Sequence, residues 1–287
     1  MLEDEWFDWY RLTPAERWRE TTRLWSFYLE VGGSLDPEPD SQSPFNALFP
    51  QGARTSDGRA SLRLVGAAEF SRDTDIAVLA SPENLDLLRA ALRELQARRI
   101  VVPPFDIQYL LRGHAVHFRS YHPEAPQMRI DVMSVMRGVE HFETLWSRRA
   151  QLTSDEGTFF DVFSLADLVR AKKTQRDKDW PMVRRLLEAD YSATEHPSAE
   201  QLKFWLLESR TPEMLRELAL AHPSVVNELV GIRPLLRVAA NDDPAKMEMA
   251  LYEEEQAERA ADRRYWEPLK LELTALRQTA LQVEEEV

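Results

Sequence analysis

Residues 70–80 read FSRDTDIAVLA, two aspartates one residue apart at the head of an apolar run. Alternation over Ser71–Ala80 predicts a strand, with Ile76 and Val78 on one face and Asp73, Asp75, Ala77 and Leu79 on the other. Residues i and i+2 of a strand share a face with Cα atoms ~6.5 Å apart. Acidic residues at strand ends are commonly just solvated. The carboxylates here lie opposite the apolar positions, where a site rather than a core belongs.

Working outward, Ser81-Pro82-Glu83 opens a helix whose Leu85, Leu88, Leu92 and Leu95 form one apolar stripe. Ile100–Val102 reads as a short buried strand ahead of Pro103-Pro104. HAVHFRSY (114–121) and QMRIDVMSV (127–135) alternate as two strands around the turn-rich HPEAPQ, the pattern of a hairpin. The second strand carries a third aspartate, Asp131, between Ile130 and Val132, a poor place for a carboxylate without purpose. His114 and His117 should point to opposite sides of their strand and read as ordinary strand residues rather than a metal pair. Arg148-Arg149 reads as a solvated helix end.

Upstream, Thr13, Pro14 and Glu16 form a capping signal for a helix with Trp18, Trp25 and Tyr28 at helical spacing. The run from Gly32 to Gly58 is rich in proline and small polar residues and reads as a linker. Beyond Phe163 the pattern is helical. Ser164 caps LADLVRAKKTQ, Ser198 and Gln201 form a capping box, and Thr211-Pro212 and Asp243-Pro244 are further helix starts. Pro268 should kink or restart the last helix. The expectation is an α+β chain in three parts: a helical N-terminal segment and linker (1–57), a small mixed-sheet core (58–162) and a helical C-terminal region (163–287).

The 287 residues are 44% hydrophobic and carry eight tryptophans, enough for a packed core. There is no cysteine, so neither disulfides nor thiolate chemistry is available. The acidic MLEDEWFDWY is unlike a signal peptide and no run is long enough for a membrane span, which predicts a cytoplasmic protein without a membrane partner. A net charge of -13 disfavours nucleic-acid binding by the surface as a whole. Cations nevertheless concentrate in 163–191, where Arg170, Lys172, Lys173, Arg176, Lys178, Arg184 and Arg185 make a candidate anion-contacting face. No H-E-x-x-H, G-x-S-x-G or P-loop pattern occurs.

Carboxylates at i and i+2, joined by a third from a neighbouring strand, can converge on Mg²⁺, which prefers hard oxygen ligands and substrate phosphates. Phosphoryl-type transfer asks little more of a protein than metal, positioning and cations. The run from Gly66 to Val78, with Asp73 and Asp75, resembles the signature of the nucleotidyltransferase superfamily with the DNA polymerase β-like fold, in the AbiEii-type and related bacterial branches. Asp131 in RIDVMSV matches that family's third acidic position, and SLADLVRAKKTQRDKDW resembles its lysine-bearing helical segment.

The resemblance implies an Mg²⁺-dependent transfer of a nucleoside monophosphate from an NTP to an acceptor hydroxyl of RNA, protein or a small molecule, in a toxin-like setting. It assigns Asp73, Asp75 and Asp131 to the metal, with Asp131 also available as a base. Lys172, Arg176, Gly58 and Ser71 would contact the nucleotide. Two departures support an alternative, a catalytically degenerate binding protein of the same fold. Glu69 stands where the family has arginine, and the phosphate-cradling glycine turn has no clean match. Gly58 is at nearly the right distance but lacks an apolar strand before it, and Gly32-Gly33-Ser34 has the residue types but lies too far upstream. Limited proteolysis is expected to cut between Asp36 and Gly58; a linker left intact would show that residues 1–57 are integral to the core.

Overall fold

The computed structural model describes residues 73–100, 102–123, 125, 127–153, 159–239 and 244–285. The expected N-terminal helix and linker, Gly58, Glu69 and Ser71 lie outside them. The chain is α+β. It divides into a sheet-bearing unit, with described residues 73–167 and 264–285, and a helical unit, 168–263.

In the sheet unit the strands β1 (Asp73–Ala77), β2 (Arg98–Arg99), β3 (Val116–Arg119) and β4 (Arg129–Met133) form one mixed sheet in the order β1-β4-β3-β2. β3 and β4 are the expected antiparallel hairpin, and β4 runs parallel to β1. A parallel pair needs a crossover, supplied here by helix α1 (Pro82–Glu94), β2, helix α2 (Ile107–Leu111) and β3. β1 ends at Ala77, three residues before the predicted Ala80. Val78 still donates to the Met133 carbonyl at 2.9 Å, but Ser81 N–H turns back onto Leu79 and the Ser81 hydroxyl caps α1. The strand expected at Ile100–Val102 is displaced to Arg98–Arg99, although Ile100 N–H still reaches the His117 carbonyl at 2.9 Å.

One face of the sheet is apolar. Leu85 and Leu92 of the predicted stripe bury with Leu110, Val116, Phe118, Ile130 and Val132, while Leu88, Leu95 and Ile76 pack around them. The other face carries Asp75, Asp131, His117, Arg129, Arg119 and Arg98, as the strand period requires. A second antiparallel pair, β5 (Ala150–Thr153) with β6 (Phe159–Val162), follows helix α3 (Phe142–Ser147).

Helices α4 (Leu165–Ala171), α5 (Asp179–Ala193), α6 (Ala199–Glu208), α7 (Pro212–Ala221), α8 (Pro223–Leu229), α9 (Leu236–Ala239) and α10 (Pro244–Glu285) follow. The Ser198–Gln201 capping box is present as read. Two expectations fail here. The helix from Ser164 ends at Ala171 instead of reaching Gln175, because the Gln175 amide is taken by Asp262 at 2.8 Å. And α10 runs through Pro268 as one helix, with Leu269 and Leu273 buried beyond the proline.

The C-terminal part of α10 belongs to the sheet unit through a specific seat. Buried His114 Nε2 lies 2.7 Å from Glu272, Arg112 holds the other Glu272 oxygen at 2.9 Å, and Tyr265 closes over Gly113. Gly113 has a φ of +96°, and a Cβ would collide with the Tyr265 hydroxyl. Among the described residues no helix is long and apolar enough to cross a membrane. Leu92→Ala should cost about 2–5 kcal/mol of stability by urea denaturation, because Leu92 is only 5% exposed in the apolar layer.

Candidate active site

Asp75 and Asp131 are Cα partners in the parallel β1–β4 ladder. Partners on neighbouring strands share a face and sit about 5 Å apart, so the two aspartates meet side by side. Asp73 is two residues earlier on β1, in register with Arg129; its side chain lies outside the described residues.

The antiparallel β3–β4 ladder extends the same row, placing His117 opposite Asp131. His117 Nδ1 lies 2.8 Å from Asp131 Oδ1, and Arg129 Nε donates to that same oxygen at 2.6 Å. Arg129 Nη2 is also 2.9 Å from His117 Nδ1. Nδ1 cannot donate to Asp131 and accept from Arg129 at once, and donation to the carboxylate is the stronger, charge-assisted choice. Asp131 Oδ2 has no hydrogen-bond partner among the described residues. Both Asp131 and His117 are 8% exposed.

These surroundings set the protonation of Asp131. Burial alone would raise its pKa, but the charges and hydrogen bonds of His117 and Arg129 outweigh it and hold the carboxyl below its usual range. An acid held ionised in this way is a weak proton acceptor and a sound cation ligand, which favours the ligand role over the base role.

The donor chemistry fits a hard divalent cation: carboxylates on adjacent strands, with no partner for Asp131 Oδ2 among the described residues. Among the described residues no three His, Asp or Glu side chains make a metal-holding group. Asp73, the third carboxylate expected from the sequence, has its backbone in register with Arg129.

Lys172 and Arg176 belong to the helical unit. Arg176 is engaged by Asp179 at 2.9 Å, and Lys172 is 7% exposed. The segment around them is strapped internally. Trp180 Nε1 donates to the Thr174 carbonyl at 2.9 Å, Arg259 bonds Asp177 and the Gln175 carbonyl, Lys173 pairs with Glu208, and Arg184 with Glu188. Much of the predicted basic face is therefore committed to intramolecular partners.

Sequence reading missed two residues of the site. It set His117 down as an ordinary strand residue, and the hairpin register makes it a partner of Asp131. Arg129 stands at i−2 from Asp131, a spacing that shares a strand face and was available as a signal. Arg148-Arg149 is also not a solvated end: Arg148 Nε donates to buried Asp167 at 2.7 Å, and Arg149 reaches Asp161 at 2.7 Å.

No family model matches the chain, and a search of the curated proteins returns no significant match.

Since the Asp131 pKa is lowered by folding, its ion pairs stabilise the protein above the unfolded value near 3.8, and this is lost as pH falls through the folded value. Urea titrations of wild type and Asp131→Asn should therefore show a stability gap at neutral pH that closes below about pH 4. A gap constant down to pH 2 would assign the difference to packing alone.

Proposed function

We propose that the sheet unit is a nucleotidyltransferase of DNA polymerase β-like fold, moving a nucleoside monophosphate from an NTP to an acceptor hydroxyl. One observation carries this reading: Asp75 and Asp131 stand in direct register on parallel neighbouring strands, with Asp73 two residues before Asp75 on the same strand. Asp73, Asp75 and Asp131 would hold Mg²⁺, which when bound supplies Lewis-acid stabilisation of charge on phosphoryl oxygens.

The chain's own contribution is orientation. His117 and Arg129 fix Asp131 through Oδ1, keep it ionised, and leave Oδ2 for ligation. Such outer partners matter because a carboxylate free to rotate holds its ligand less well. Ala77 and Met133 continue the same face beyond the acidic row. Arg176 and Lys172 keep the nucleotide-contact role that the resemblance implies only if their present engagements are exchanged.

A second reading, a degenerate binding protein on the same fold, is favoured by the Arg129 guanidinium lying 2.6 Å from Asp131. A fixed cation at that distance competes with a bound metal for the same carboxylate, and Glu69 replaces the arginine of the family pattern.

Isothermal titration of Mg²⁺ with ATP, GTP, CTP or UTP separates the two. Metal-dependent binding of at least one nucleotide is expected, reduced tenfold or more by Asp75→Ala and by Asp131→Asn, with the fold verified by circular dichroism. A folded protein that binds none of the four would refute the transferase reading.

A further inference from the structure

The polar face of the four-stranded sheet holds a second feature, beside the acidic row. The β2–β3 and β3–β4 registers set Arg98 opposite Arg119 and Arg119 opposite Arg129. Three arginines thus stand in one cross-strand row spanning ~10 Å, on the face that carries Asp75 and Asp131. Like charges directly opposite in a sheet are destabilising, and a chain with a net charge of -13 has ample carboxylates to neutralise them. Among the described residues it does so at Arg129, through Asp131. Arg119 bonds the neutral Gln127 at 3.3 Å, and Arg98 lies 5.4 Å from the centre of the Tyr121 ring. Neither has a carboxylate partner among the described residues.

Tyr121 adds an aromatic surface. It is 48% exposed, and its backbone position is fixed by Ser120. The Ser120 hydroxyl donates to the Leu95 carbonyl at 3.0 Å and accepts from His122 N–H at 3.2 Å, while Ser120 N–H bonds the Met128 carbonyl at 2.8 Å. An exposed aromatic ring next to guanidinium groups without a carboxylate partner among the described residues matches the requirements of a phosphodiester chain with exposed bases: cations along the backbone and a platform for stacking. An acidic peptide would use the arginines but not the ring.

The geometry points to the Arg98–Arg119 row with Tyr121 as a binding face for single-stranded nucleic acid, running along the sheet toward Asp75 and Asp131. As the acceptor of the transfer this strand rests on the nucleotidyltransferase reading; as a bound ligand it does not. Arg129 marks the junction, since its guanidinium lies both in the basic row and on Asp131.

Fluorescence anisotropy of labelled single-stranded RNA and DNA of about ten nucleotides, with the full chain and without NTP or Mg²⁺, tests the face independently of the metal site. Binding is expected for at least one of the two, and comparing them identifies the sugar. Arg98→Ala and Arg119→Ala should each weaken it about fivefold or more and lower the log–log salt slope by about 0.7. Tyr121→Ala should weaken it similarly with the slope unchanged. Circular dichroism controls for folding, and Arg98→Lys should preserve the slope. The proposal fails if neither oligonucleotide binds, or if the three alanine variants bind as wild type does. It also fails if a polyglutamate peptide binds as tightly, which would mark a protein-docking face. Stoichiometric displacement by inorganic triphosphate would likewise overturn it, placing the nucleotide's own phosphates there. Loss of nucleotide binding in calorimetry leaves these measurements standing, so the two readings fail separately.

Discussion

The parallel pairing of β1 with β4 is the constraint on which the polar face depends. It brings Asp75 and Asp131 side by side, and two ionised carboxylates in that position repel each other. The fold answers with hydrogen-bond donors from the neighbouring positions: His117 one strand further on, and the Arg129 guanidinium two residues earlier on β4. Their attraction outweighs the desolvation of Asp131, so the carboxyl stays charged although buried. A buried charge keeps its place only when it is paired in this way. The apolar face beneath, with Ile130 and Val132 alternating with Asp131, holds the strand rigid while the opposite face remains polar.

The same alternation distributes charge across the sheet. Acidic positions gather on β1 and β4, basic ones on β4, β3 and β2, and the two sets meet at Arg129. In the helical unit the arrangement is different. There several cations of the basic segment, Lys173, Arg176 and Arg184, are paired with carboxylates of the same unit. Arg233 shows how thoroughly: it bonds the carbonyls of Leu206 and Ser209 at 2.8 Å each, closing the end of α6, and pairs with Glu254. Arg210 shares Glu254 and lies against Trp180. These residues act as structural ties, and a count of positive charge along the sequence does not distinguish a tie from a binding surface.

Local signals in the sequence were dependable where the chain interacts with its near neighbours. The Ser81 cap, the leucine stripe of α1, the Ser198–Gln201 box and the hairpin at 114–135 are all present, because each is decided within a few residues by period, capping and turn chemistry. The ends of elements were less legible. The helix from Ser164 stops early because Asp262, far away in sequence, takes the Gln175 amide. Pro268 does not end α10, since the residues beyond it are held in the helix by burial of Leu269 and Leu273.

The sequence by itself determined that Asp73 and Asp75 share a strand face, that Asp131 lies on an alternating strand, and that the core is a hairpin-bearing sheet with leucine-faced helices. The period of a strand settles such questions without reference to the rest of the molecule. Only the tertiary structure decided which strands are neighbours and in what register. It placed Asp131 opposite Asp75 on one side and His117 on the other, and it aligned Arg98, Arg119 and Arg129. Register joins residues distant in sequence through hydrogen bonds that are the same for every side chain, so composition leaves almost no trace of it. The apolar layer and the crossover settle it together, and with it the chemistry of the face above.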